Sequence, residues 1–432
     1  MGCALALVLS AGSLPGQLVP GARTAADSSA VNPEDSSSDA YSQAAAEADA
    51  SKPQYVPALN GSGLFLLQAI EKFHMLGGGS ISAGLDTNPN NQSDHRSSIV
   101  YIFSPFVGVL AGNPRRQFLL QYRPIFTEYT TYAQNSMQQA SAAFAKRPSP
   151  RWSWTIGVNG AHGDDAVRML APGHSVAVGG VAGSGSGNAA YLANAGVVTN
   201  INGAIEAVYG VSERDTLGVQ IADSFNSYSQ LHSRNSVATA IFNYTHALKP
   251  TVDVLAYQQT SRYYGDLQCT AFGGGVGLAW KPRAETTLSI QGGPQLNSPN
   301  CRNQQGFSYH AFISSKVTAR SQLYVRGDRQ PLIGFLGPGL WQDDVSAGYQ
   351  RAFSSKNSAG ADAGYVMSST LSSGQAYSGT FANAWYTRQI MHPLSLSCRY
   401  QNFVASQGVA RFSRNVVLVS ITLTPGSPSL TE

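Results

Sequence analysis

The sequence predicts an all-β fold: a closed antiparallel transmembrane β-barrel of 16–18 strands with short periplasmic turns and long extracellular loops. Three observations lead there. Only 12% of the 432 residues are charged, about half of the roughly 25% usual in soluble domains. The mean hydropathy is −0.13, and after the N-terminus no stretch approaches the ~20 consecutive apolar residues of a spanning helix. From residue 78 to 424 one texture repeats, in which apolar side chains alternate with Gly, Ser, Thr, Gln and Asn. A barrel that turns every second residue to lipid keeps its average hydropathy near neutral.

The order of segments follows from composition. Residues 1–26 contain an apolar stretch, Ala4 to Leu9, and small residues near Ala26, which read as a signal peptide without a basic leader. Residues 27–62 are mostly Ser, Ala, Asp, Glu and Pro and cannot bury a core, so they read as a disordered periplasmic linker. Residues 63–77 include LFLLQAIEKFHML, too short to span and open to two readings, a helix at the barrel mouth or a first strand. Residues 425–432 form a periplasmic tail.

Strict alternation over about nine to eleven residues marks a membrane-crossing strand. In RWSWTIGVNGA, Trp152, Trp154, Ile156 and Val158 share one face and Ser153, Thr155 and Asn159 the other. Phe118, Leu120, Tyr122, Pro124 and Phe126 alternate with Gln117, Gln121, Arg123 and Thr127. Leu394, Leu396, Cys398 and Tyr400 alternate with Ser395, Ser397, Arg399 and Gln401, and Phe272, Val276, Leu278 and Trp280 with Gly and Ala. Phe118, Tyr122, Trp152, Trp154, Trp280, Leu396 and Tyr400 are therefore expected to face lipid. A soluble sandwich would also alternate, but its polar face would carry many charges.

Short connections rich in turn residues, such as Lys249-Pro250 and Met391 to Pro393, alternate with longer polar loops at 86–96, 130–135, 162–199, 223–235, 263–270, 294–305, 328–341, 368–376 and 404–410. Short turns belong to the periplasmic side. Basic residues gather at them: Arg115, Arg116, Lys146, Arg147, Arg151, Lys249, Lys281, Arg283, Arg320, Arg351, Lys356 and Arg388. Such side chains can reach lipid phosphates from a strand end.

The first strand and loop, ISAGLDTNPN, the following SIVYIFSPFVGV and then RRQFLLQYRPIFTEYTTYAQNS resemble the opening of the porin-like outer-membrane β-barrels found with exopolysaccharide and PEP-CTERM/exosortase loci. The resemblance covers about 80 residues at the start of the barrel. It implies a porin-like barrel serving polysaccharide export, with polysaccharide-export proteins as partners and no catalytic residues. One departure is the last strand, RNVVLVSITLT, which carries Leu423 where such barrels commonly end in an aromatic residue read by the insertion machinery.

Enzyme chemistry and cofactors find no support in the pattern. The eight histidines form no His-x-x-x-His pair, and no Cys-x-x-Cys occurs, so no metal is expected. His162 and His174 share the longest loop, without a nucleophile–base arrangement. GGVAGSGSG at 179–187 lacks the Lys-Ser/Thr of a phosphate loop. The reading is a non-enzymatic outer-membrane channel, passing polysaccharide or small polar solutes. The alternative is a structural or docking barrel of a secretion or export complex. Inward, pore-lining candidates are Arg123, Glu206, Asp253, His310, Lys316, Arg326, Asp328, Asp362 and Arg399, whose mixed signs imply weak selectivity. Lipid, lipopolysaccharide and the insertion machinery are the expected partners; nucleic acid is not. Cys398 alternates with lipid-facing residues, whereas Cys269 and Cys301 fall in loops separated by one hairpin and are expected to form a disulfide.

Overall fold

The computed structural model describes residues 74–423 apart from 90–95, 114–115, 133, 165–196, 230–232, 266–267, 284, 299–304, 335–336, 371–373, 392–393 and 408–409. The expected signal peptide, linker and C-terminal tail lie outside the described residues, as do residues 63–73.

Eighteen strands run in chain order: β1 (His74–Asp86), β2 (Ser98–Asn113), β3 (Arg116–Tyr129), β4 (Asn135–Ser149), β5 (Trp152–Asp164), β6 (Val197–Gly210), β7 (Asp215–Tyr228), β8 (Ser233–Lys249) and β9 (Val252–Tyr264). They continue with β10 (Cys269–Arg283), β11 (Thr286–Asn297), β12 (Gly306–Thr318), β13 (Ser321–Gly334), β14 (Gly337–Ser354), β15 (Asn357–Thr370), β16 (Gly374–Met391), β17 (Leu394–Gln407) and β18 (Ala410–Leu423). Each pairs antiparallel with its neighbours in sequence, and β1 pairs with β18, which closes the ring. Closure leaves no strand edge unpaired, the condition for a sheet to lie in hydrocarbon.

The alternation fixes which side chains face out. On β5, Trp152, Ile156 and Val158 are exposed while Ser153, Thr155 and Asn159 are buried. On β2, Ile99, Tyr101, Phe103 and Val107 are exposed. Large apolar side chains are exposed on strands all round the ring, and Ser, Thr, Asn, Gln and a few charges make up more than half of the buried set among the described residues. A water-soluble barrel would have the opposite arrangement. The closed ring with its apolar exterior is a transmembrane barrel.

The strands, 12 to 18 residues long, outrun the expected nine to eleven. Where the sequence suggests a loop at 328–341, β13 continues to Gly334 and β14 resumes at Gly337. The run DRQPLIGFLGPGLW carries Pro331, Gly334, Gly337, Pro338 and Gly339, which interrupt the alternation that identifies a strand. Cα atoms of β8 lie within 8 Å of Cα atoms of β13 and β14, strands on another part of the ring. β1, likewise, begins at His74 and takes up the end of the apolar stretch whose character the sequence leaves open.

Two local devices shape the wall. The β2–β3 ladder runs from Val100↔Tyr129 to Phe103↔Phe126 and resumes at Val107↔Tyr122, which sets Pro105 opposite Pro124. Neither residue has an N–H, so the ladder lapses there. Elsewhere an inward aromatic ring lies over a glycine on the adjacent strand: Phe106 over Gly78, Tyr324 over Gly348, Trp385 over Gly360 and Phe381 over Gly364, each directly opposite in register. A Cβ on Gly360 would collide with the Trp385 indole. Gly360→Val is expected to destabilise the barrel by about 1–3 kcal/mol, as overpacking does. Gly160, whose Cβ would meet nothing closer than 3.7 Å, should accept Ala with far less loss. Urea titration of the two folded variants compares them directly.

Candidate functional site: the inner wall

A barrel acts through its inner wall, so the inward side chains form the candidate site. All nine residues nominated from the sequence take the parity of the buried face: Arg123 on β3, Glu206 on β6, Asp253 on β9, His310 and Lys316 on β12, Arg326 and Asp328 on β13, Asp362 on β15 and Arg399 on β17. The register brings some of them together. His310 lies directly opposite Asp328. Its Nδ1 meets one carboxylate oxygen of Asp328, and Arg326 Nε donates to the other. Asp362 accepts a hydrogen bond from Asn383 Nδ2 at 3.0 Å. The Arg123 guanidinium lies 5.3 Å from the Phe106 ring centre.

The most deeply buried ion pair among the described residues was not nominated from sequence. Arg414 of β18 and Asp86 of β1 are both fully buried. Arg414 donates from Nε to Oδ1 at 2.9 Å and from Nη2 to Oδ2 at 2.5 Å. Asn88 N donates to Asp86 at 3.1 Å, and the Tyr129 hydroxyl lies at 3.4 Å. Arg414 could have been found, since it has opposite parity to Val417, Val419 and Ile421. Asp86, at the start of a polar loop, gave no such signal. Beside this pair lies an inward apolar cluster, Val100, Ile102, Ile125, Tyr129, Met137, Val416 and Leu418, at a place where the sequence led us to expect polar side chains.

The rest of the inner wall divides by chemistry. On β5–β7 an amide and hydroxyl network links Asn159, Asn200, Asn202, Ser224 and Asn226, with Asn202 Nδ2 donating to Asn159 at 3.0 Å and Ser224 Oγ to Asn202 at 2.5 Å. On β12–β14, Gln350 donates to Gln322, which donates to Ser314.

On β15–β18 the register stacks three inward rows. The middle row is Asp362, Asn383, Gln401 and Val416. On one side of it lie Gly364, Phe381, Phe403 and Arg414, and on the other Gly360, Trp385, Arg399 and Leu418. A water-sized cavity is lined by Phe381, Asn383, Gln401, Asn402, Phe403, Arg414 and Val416. Gln401 Oε1 and Asp362 Oδ1 are buried without a hydrogen-bond partner among the described residues.

On the outer face, Phe118, Tyr122, Trp152 and Trp280 are exposed, and Trp154, Leu396 and Tyr400 share the same outward parity in half-buried positions. Cys398, also outward, is not disulfide-bonded. Cys269 points inward, is buried and is engaged in a disulfide; Cys301 lies outside the described residues. His162 Nδ1 meets Thr199 Oγ1 at 2.8 Å on the outer face, and His174 lies outside the described residues.

No family model matches the chain. No curated protein matches it either. Among solved structures it is similar to the outer membrane protein opdK from Pseudomonas aeruginosa, with TM-score 0.47, 8% identity and coverage of 83% of this chain and 100% of that one. It is similar to a BenF-like porin from Pseudomonas fluorescens Pf-5, with TM-score 0.45, 9% identity and coverage of 82% and 100%. A third is the siderophore receptor PirA from Acinetobacter baumannii, with TM-score 0.43, 7% identity and coverage of 82% and 81%. On its own geometry, a closed ring with an apolar exterior and a hydrogen-bonding interior, the chain is a β-barrel of the bacterial outer membrane.

Proposed function

We propose that the barrel is a porin-like channel for small polar solutes, and that it serves polysaccharide export, as the resemblance of its opening strands implies. The observation that carries this reading is the inner wall. Amides, hydroxyls and charges of both signs face the lumen on almost every strand, while the exterior is apolar. Such a lining supports water and hydroxylated solutes and gives weak charge selectivity. Purified protein in a planar bilayer is expected to give stepwise, weakly ion-selective conductance. A folded barrel that never conducts would end the channel reading.

That outcome would favour a docking barrel in a secretion or export complex, a reading compatible with Cα atoms of β8 lying within 8 Å of β13 and β14. Outer-membrane lipid, lipopolysaccharide and the insertion machinery are partners in either case, and polysaccharide-export proteins join them under the resemblance.

The same reading joins Cys269 to Cys301. Thr270 N donates to Ser298 Oγ at 3.1 Å and Ser298 N to Thr270 O at 2.8 Å, so the strand end bearing Cys269 lies beside the segment leading to Cys301. Closing a loop of about 30 residues should stabilise this end of the barrel by about 3 kcal/mol in the chain-entropy model. In unreduced, denatured mature protein a thiol probe is expected to label Cys398 alone. Labelling of Cys301 as well would remove the pairing.

A further inference from the structure

We infer that the β13–β14 hairpin is folded into the barrel mouth as a constriction, latched there by Trp341 against the inner face of β12. The inference rests on the channel reading for its consequence, and on register and burial for its geometry. β12 and β13 pair as far as Tyr309↔Arg329. Beyond that rung β13 goes on pairing with β14, through Gln330↔Gln342, Pro331↔Trp341 and Leu332↔Leu340. β12 there pairs with β11 instead, through Ser308↔Gly293, Phe307↔Pro294 and Gly306↔Gln295. The two sheet edges therefore part. Unpaired edges do not lie in hydrocarbon, so the parting is at the mouth, at the long-loop end of the ring.

Trp341 shows which edge lies inside. Its parity on β14 is that of Val345 and Tyr349, which are exposed on the outer face. Other outer-face indoles are open, Trp152 at 39% and Trp280 at 42%, yet Trp341 is 4% exposed. What covers it is β12, two strands away. Gly306 has the inward parity of Ser308 and His310, and a Cβ there would collide with the Trp341 indole. The outward side of the hairpin thus rests on the inward side of β12, an overlap that places the hairpin within the ring. Arg329 stands opposite both Tyr309 and Asp343. Its guanidinium lies 5.5 Å from the Trp341 ring centre and 3.7 Å from the Asp343 carboxylate, which ties the base of the hairpin to its anchor.

The other side of the ring gives an independent observation. Cα atoms of β8 lie within 8 Å of Cα atoms of β13 and β14. The outer faces of all three strands are exposed, at Phe242 and Tyr244, at Leu323 and Val325, and at Val345 and Tyr349. The strands therefore approach by their inner faces, and Val237 and Thr239 on the inner face of β8 are buried accordingly. Backbones that close leave room for side chains alone. A solute either passes on the side bounded by β1–β7 and β15–β18 or displaces the hairpin. The hairpin, rather than the circumference of eighteen strands, then sets the open section.

The test pairs bilayer conductance of the full-length barrel with acrylamide quenching of Trp341, read as the difference between proteins with and without Trp341→Phe. Gly306→Leu takes the place of the indole, and Trp341→Ala removes it. Each is expected to raise single-channel conductance about twofold or more, because flow follows the narrowest section. Trp280→Ala, on the outer face, leaves it unchanged. Trp341 emission is expected to be shielded in the wild type and open to quencher in Gly306→Leu. An indole lying in lipid is indifferent to residue 306, so quenching that Gly306→Leu does not alter overturns the latch, as does ready quenching in the wild type. Wild-type conductance in both unlatched variants overturns the constriction and leaves the channel reading intact. Silence from the wild type and both variants ends the channel reading, while the quenching still decides the latch. Retention of the folded form on unheated gels qualifies each variant, and two substitutions on different strands keep the test should one fail to fold.

Discussion

Arg414→Met is expected to destabilise the barrel by about 3–5 kcal/mol, the usual consequence of stranding one member of a buried ion pair. The substitution keeps an unbranched apolar stem and removes the guanidinium contacts to Asp86, whose carboxylate is fully buried. What remains to it is the Asn88 amide at 3.1 Å and the Tyr129 hydroxyl at 3.4 Å, too little to hold an unpaired charge next to Val100, Ile125 and Met137. Asp86→Leu should be similarly harmful, because it strands the guanidinium. The double variant Asp86→Leu/Arg414→Met is expected to recover much of the loss, since the neighbouring cluster is already apolar and two matched apolar side chains extend it. Urea titrations of the three proteins in one lipid measure this. Additive losses in the double variant would show that the two residues do not act as a pair.

Ile156→Arg is expected to cost roughly 2–4 kcal/mol, as a charge on the lipid face does near the midplane. Ile156 is exposed on the outer face and sits directly between Phe144 of β4 and Ile205 of β6. The adjacent Thr155 faces inward, opposite Glu206, so Thr155→Arg places its charge beside a carboxylate in the lumen. Its effect on stability should be much smaller, and its main effect should fall on the ion selectivity of the pore. The pair tests register, because a shift by one residue exchanges the two faces. A silent Ile156→Arg beside a disruptive Thr155→Arg would invert the strand.

β5 explains why so much of the fold could be read from the sequence. Trp, Trp, Ile and Val on one parity and Ser, Thr and Asn on the other leave a single way to face lipid. The same rule gives all nine charged or titratable candidates the parity of the buried face. It has no purchase where both parities are apolar, as in the SIVYIF segment of β2. There Val100 and Ile102 turn inward between the exposed Ile99, Tyr101 and Phe103, and the inward apolar cluster was invisible for that reason. It also fails where Pro and Gly interrupt the pattern, as in the β13–β14 hairpin, which reads as loop. Pairings between distant residues are not local properties at all. Asp362, Asn383 and Gln401 share a row only because three strands align, and Asp86 meets Arg414 only because the ring closes.

That closure has a kinetic side. Seventeen of the strand pairings join neighbours in sequence, so each can zip as a hairpin with little chain to gather. The remaining one, β1 with β18, joins residues 328 positions apart at Asp86 and Arg414 and matches only Gly79–Asp86 with Leu423–Val416. Bringing such distant segments together costs about 5 kcal/mol of loop entropy for a free chain, so this contact is expected to form last. Interactions absent from the transition state slow unfolding while leaving the folding rate nearly untouched. The buried pair at the seam therefore sets how long a finished barrel survives in the membrane, and only weakly how fast one is made.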